Sequence, residues 1–162
     1  MVINTKYQIL NTKYLLGFTL IEVLVAVAII AVAVAGGGWA YLSAIDKQHL
    51  SSAVNLVVSY SQEAQNDSIT VKNGSRYGVS YYDKKLEIFK DQPGNTTYTY
   101  QLPNRMLLSE ITLANGGSLV NFAKLTGRPD TAGELTLESR FFEAMVIIDK
   151  SGNISGTEIV KK

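Results

Sequence analysis

From residue 18 to residue 45 the chain is dominated by Val, Ala, Ile and Leu, and its single formal charge there is Glu22. An uninterrupted apolar run of this length predicts a helix. At 1.5 Å per residue it measures about 40 Å, more than the roughly 30 Å of a hydrocarbon core. From 43 to 68 the pattern changes. Leu50, Val54, Val57 and Ala64 recur at helical spacing with Ala53, Leu56 and Tyr60 alongside, while Gln48, Ser52, Asn55, Ser59 and Gln62 take the other positions. This predicts a second, amphipathic half of the same helix. Gly36, Gly37 and Gly38 fall between the halves and weaken helix by roughly 1 kcal/mol each relative to alanine, marking either a bend or unwinding point, or a place where small residues allow close helix packing in a membrane.

Beyond residue 68 the periodicity shortens to strand-like runs at 76–82, 86–90, 96–102, 105–113, 118–124, 134–138, 144–149 and 154–160. Asn73-Gly74, Pro93-Gly94-Asn95, Asn115-Gly116-Gly117 and Ser151-Gly152-Asn153 punctuate them as turns. The spacing favours antiparallel hairpins in a sheet or small β-sandwich. One face of such a sheet needs a cover, and the apolar stripe of the 43–68 helix supplies it. The expected class is therefore α+β: a long N-terminal helix, its first half transmembrane and its second half amphipathic, packed on a C-terminal antiparallel sheet.

Charge and composition narrow the functional classes. The 162 residues hold 15 Lys+Arg and 14 Asp+Glu. Lys6, Lys13 and Glu22 lie before residue 45, so the remaining part is formally neutral and its net charge makes no case for nucleic acid or anionic lipid. Lys6 and Lys13 precede the apolar run, whereas Trp39 and Tyr41 stand near its far end, where amphipathic rings favour headgroups. The implied polarity places the N-terminus in the cytoplasm and the head outside. The absence of cysteine removes disulfides and thiolate chemistry.

The apolar run has competing readings. Ala33-Val34-Ala35 is an acceptable cleavage site for an ordinary secretory signal, which would release a secreted β-domain. A plain membrane anchor is the other. Glu22 fits neither well, since a carboxylate at mid-membrane costs about 2.5–3.5 kcal/mol, although one near the helix end can reach the headgroups.

The residues around it decide. Gly17-Phe18-Thr19-Leu20-Ile21-Glu22-Val23 followed by an apolar run closely resembles the processing and assembly signature of type IV prepilins and type II secretion pseudopilins. The resemblance implies a leader of residues 1–17, cleavage between Gly17 and Phe18 by a membrane-embedded prepilin peptidase, and N-methylation of the new Phe18 amine. It also implies that Glu22 pairs with such an amine during assembly, that residues 18–45 form the transmembrane and filament-core helix, and that residues 46–162 form the head. Tyr14-Leu15-Leu16 depart from the basic residue that many members carry beside the glycine. The implied partners are the peptidase, other pilin or pseudopilin subunits and the cytoplasmic membrane.

A second resemblance, to the GspH/FimT branch, rests on Asn121-Phe122-Ala123-Lys124, Thr126-Gly127-Arg128-Pro129, Leu135-Thr136-Leu137, Val146-Ile147-Ile148-Asp149 and Gly152-Asn153-Ile154. That branch pairs the long helix with a β-sandwich, and the missing C-terminal disulfide loop leans toward a minor component. Its FimT-type members suggest an alternative in the binding class, DNA contact through Arg128, Lys161 and Lys162 or through Lys84, Lys85 and Lys90. No nucleotide-binding, hydrolase or zinc-protease motif occurs, His49 is the only histidine, and no catalytic residue, metal or cofactor is expected. Asp149-Lys150-Ser151-Gly152-Asn153 is better read as a hairpin turn than as a calcium loop.

Overall fold

The computed structural model describes residues 18–103 and 105–162. The 1–17 segment, with Gly17, lies outside the described residues. The helix α1 runs Leu20–Ile69, and helical backbone continues through Gly36, Gly37 and Gly38. In the isolated chain these three glycines keep the helical pattern of their neighbours. A Cβ at any of the three glycines would meet nothing within 4 Å, so no contact within this chain requires them to be small. The helix stops where Thr70 turns its hydroxyl back to the Asn66 carbonyl at 2.9 Å and Val71 adopts a left-handed φ of 48°. Competition from a threonine hydroxyl and a positive φ both end helical propagation.

The chain forms two compact units that divide between Trp39 and Ala40. The first is the apolar helical segment, exposed on all sides from Phe18 onward. The second is an α+β head with two antiparallel sheets. In one sheet the order is β3 (Thr96–Gln101), β2 (Lys85–Lys90), β1 (Tyr77–Tyr81), β5 (Leu119–Asn121). In the other it is β4 (Leu107–Leu113), β6 (Gly133–Glu138), β7 (Phe142–Ile148), β8 (Ile154–Gly156), with β9 (Val160–Lys161) also on β7. The buried helix positions are Asp46, Leu50, Ala53, Val54, Val57, Ser61, Ala64 and Ser68, which apart from the adjacent Ala53 and Val54 recur every three or four residues as one stripe. Leu50 and Val57 share a core with Tyr77, Val79 and Tyr81 of β1 and with Leu135, Leu137, Val146 and Ile148 of β6 and β7. Full burial of each large aliphatic side chain there is worth about 1.5–3 kcal/mol.

Two expectations change in detail. Asn115-Gly116-Gly117 joins β4 to β5 without making a hairpin, because β4 pairs β6 and β5 pairs β1. The expected 154–160 strand is split: Val146 faces Gly156 while Glu143 faces Val160, so β7 advances three residues where its partner advances four. Such an extra residue is a bulge. Thr157 fills it by donating its N–H to the Met145 carbonyl at 2.7 Å and accepting the Met145 N–H on its hydroxyl at 2.9 Å. Gly156 is required beside this bulge, since a Cβ there would lie 2.4 Å from Val54 Cγ1 on the helix.

Polar pins fix the helix along its length. Ser61 Oγ donates to the Val57 carbonyl at 2.6 Å and lies 2.8 Å from the Tyr81 hydroxyl. Ser68 Oγ accepts the Tyr77 N–H at 2.7 Å and donates to the Tyr77 carbonyl at 3.2 Å, tying the last turn of α1 to the start of β1. Burial pushes the Tyr81 phenol well above its ordinary range, which the Ser61 hydrogen bond only partly offsets. The folded state therefore holds the Tyr81 proton more tightly than the unfolded chain. Its contribution is fully present below the unfolded value near 10 and is lost as pH rises beyond it. Tyr81→Phe is expected to cost about 1 kcal/mol at neutral pH. The gap to the parent should narrow above a pH of about 10, measured by urea unfolding of the full chain in detergent.

Candidate functional site

The first candidate lies at the start of α1. Thr19 caps the helix: its hydroxyl accepts the Glu22 N–H at 3.3 Å, and its carbonyl accepts the Val23 N–H at 3.2 Å. Thr19-Leu20-Ile21-Glu22 thus has the Thr-x-x-Glu spacing of a capping box, with Glu22 in the third helical position. A carboxylate in the first turn also meets the positive end of the helix dipole. The sequence signal for this cap is Thr19 followed three residues later by Glu22 ahead of an apolar run. Phe18, one residue before the cap, is 82 % exposed. Glu22 is exposed as well, within a turn whose other side chains are apolar and equally uncovered.

This geometry sets Phe18 just ahead of the cap and the Glu22 carboxylate in the first helical turn, both exposed. Residues 16–38 match the model of the prokaryotic N-terminal methylation motif. The chain carries a type IV pilin-like prepilin signal. The motif marks a prepilin-peptidase substrate, and the match stops short of the head. No curated protein and no solved structure matches the chain.

The second group of candidates sits on the head, and the structure does not bring it together. Two side chains of α1 locate the ends of the head. Asp46 Oδ2 accepts the Phe141 N–H at 3.1 Å. Gln65 Nε2 donates to the carbonyls of Gly127 and Gly152, at 3.0 and 2.7 Å. Asp46 and Gln65 are about 28 Å apart along a helix rising 1.5 Å per residue. Arg128 follows Gly127 and belongs to the Gln65 end. Lys161 pairs with Phe142, and the Lys162 N–H donates to the Phe141 carbonyl, so both belong to the Asp46 end. Lys162 Nζ is also paired with the Glu138 carboxylate, which this bond and a second from Ser109 hold below the usual carboxylate range.

In the other lysine cluster Lys84 adjoins β2, which carries Lys85 and Lys90 at its two ends. Lys85 Nζ is 2.6 Å from Glu87 Oε1 and 4.8 Å from the centre of the Tyr82 ring. Lys124, near Arg128, is spent on the Gly74 carbonyl at 2.7 Å. His49 is an exposed helix-face residue, as expected. The Asp149 segment is a hairpin turn, closed by Gly152 N–H to the Asp149 carbonyl and Asp149 N–H to the Asn153 carbonyl, both at 2.9 Å. Asp46 was not singled out from the sequence, since one acid ahead of an amphipathic stripe carries no pattern of its own.

Removing the cap tests the local geometry. Thr19→Ala is expected to destabilise the first turn by about 1 kcal/mol, seen as faster hydrogen exchange at the Ile21, Glu22 and Val23 amides in detergent micelles, with exchange in the head unchanged.

Proposed function

We propose that this chain is a structural minor pilin or pseudopilin. It is cut between Gly17 and Phe18, N-methylated at Phe18 and held in the cytoplasmic membrane with its head in the periplasm or outside the cell. From there it enters, or initiates, a type IV pilus, a type II secretion pseudopilus or a DNA-uptake filament. The observation that carries this reading is the pairing of the methylation motif over residues 16–38 with a helix whose following apolar side chains are exposed on every face. A helix that is apolar all round needs lipid or other helices around it, and a filament core supplies the second when the first is left behind. The head supports assignment to the GspH/FimT branch in that one helical stripe covers two antiparallel sheets. The DNA-contact alternative gains no support from Arg128, Lys161 and Lys162, which lie at opposite ends of the head.

Within the assembled core Glu22 pairs with the methylated amine of Phe18, on a neighbouring subunit in preference to its own. Removing one partner of a buried ion pair costs about 3–5 kcal/mol because the other charge is stranded, whereas an exposed pair is worth about 1 kcal/mol or less. Two measurements test the reading. The intact mass of membrane-extracted protein should place the first residue at Phe18, and a bulky residue in place of Gly17 should leave the precursor uncut; a chain beginning at Gly36 would establish an ordinary secretory signal. Glu22→Ala should insert, be processed and keep a folded head, yet be lost from filaments or fail to initiate them. Parental incorporation by the processed variant would reduce Glu22 to a headgroup-reaching side chain.

A further inference from the structure

The Asp46 end of the head holds a cleft of about 560 Å³ that no step of processing or assembly described above uses. Its lining has two chemistries. Leu42, Leu107 and Phe141 form an apolar part, and Arg105 and Arg140 bring guanidinium groups. The two carboxylates that also line it are already engaged: Asp46 by the Phe141 N–H and Glu138 by Lys162. Among the described residues neither Arg105 nor Arg140 is paired with an acid; Arg140 stacks its guanidinium 5.0 Å from the centre of the Phe141 ring. Lys161 adds an exposed ammonium at the same end. The cleft itself therefore presents two guanidinium groups that carry no acid partner among the described residues.

The position of this cleft on the chain selects its partner. Leu42 follows Tyr41, which is 66 % exposed and stands at the end of the apolar run, where the sequence places the headgroup level. Leu42 is the next residue along the chain, so a span that ends at Tyr41 brings this cleft-lining side chain to the level of the lipid phosphates. We infer that the cleft between Arg105 and Arg140 is a docking surface for the bilayer itself, the guanidiniums binding phospholipid phosphates while Leu42, Leu107 and Phe141 meet the glycerol and upper acyl carbons. Arginine suits this task because its fork can bind two phosphate oxygens at once. The surface rests on the proposed membrane span, and it gives the subunit a resting state in which the head is held on the membrane until extraction breaks the contact.

The full chain has no cysteine, so Gln101→Cys supplies one labelling position on the neighbouring cleft that shares Leu107. With a donor dye there and an acceptor on lipid headgroups, energy transfer is measured in nanodiscs of phosphatidylcholine alone or with phosphatidylglycerol. Transfer should be higher with the anionic lipid and should fall as salt is raised. The pair Arg105→Glu and Arg140→Glu should lower the ratio of docked to undocked heads by on the order of tenfold. Arg105→Lys with Arg140→Lys should keep most of it, and Arg128→Glu, at the far end, should change nothing. Transfer that is indifferent to lipid charge in a protein inserted in the disc would overturn the docking surface alone, as would transfer that followed protein concentration and so reported a second subunit. Failure of the chain to stay with the disc through an alkaline wash would overturn the membrane span, and the docking surface with it.

Discussion

Both sheets of the head depend on one helical stripe. Leu50, Ala53, Val57 and Ala64 are buried in one core with side chains from both sheets, so neither sheet completes its apolar face without α1. Dispersion and water exclusion make this contact favourable without making it specific, since they do not distinguish one axial position of the helix from another. The hydrogen bonds made by Asp46, Ser61, Gln65 and Ser68 to Phe141, Tyr81, Gly127, Gly152 and Tyr77 supply that distinction. Each partner is reached at one register only, and a helix shifted by one turn would leave these polar groups buried without partners. Every buried side-chain polar atom among the described residues is satisfied.

The same helix is asked to meet two solvents. Its C-terminal part is amphipathic and folds against protein, whereas its N-terminal part is apolar all round and exposes Phe18, Leu20, Ile29, Val32 and others to whatever surrounds it. A single isolated chain satisfies the first part and leaves the second open. Lipid and neighbouring helices are the two environments that could close it, and under the proposed function the chain would pass from one to the other. Glu22 is the residue least tolerant of either environment alone. Its cap-supported place in the first helical turn keeps it beside the site where cleavage would create a compensating amine.

Charge in the head is organised by position, while the net balance is close to zero. At the Asp46 end, Asp46 is used by a backbone amide and Glu138 by Lys162, and Arg105 and Arg140 line the cleft beside them. At the Gln65 end Lys124 is consumed by a loop carbonyl and Arg128 stands apart. Two basic groups separated by the length of the helix stripe cannot act as one short patch, so the tail lysines and Arg128 belong to different surfaces. The arginine pair that sequence distance keeps apart, Arg105 and Arg140, is the one the fold unites.

What the sequence determined by itself was whatever a local pattern can encode. The switch from an all-apolar run to a three-or-four residue stripe specified one helix with two kinds of surface. Asn-Gly and Pro-Gly turns marked most strands, and the run from Gly17 through Glu22 marked the methylation motif matched over residues 16–38. Tertiary structure alone decided which strands pair. Asn115-Gly116-Gly117 has the composition of a hairpin turn but carries the chain from one sheet to the other, because β4 and β5 each find a better partner far away in sequence. It likewise decided the bulge opposite Met145 and the close approach of Gly156 to Val54 on the helix beside it. The cleft of Arg105 and Arg140 was invisible for the same reason: its residues come from α1, from the approach to β4 and from the β6–β7 turn, and no periodicity along the chain connects them.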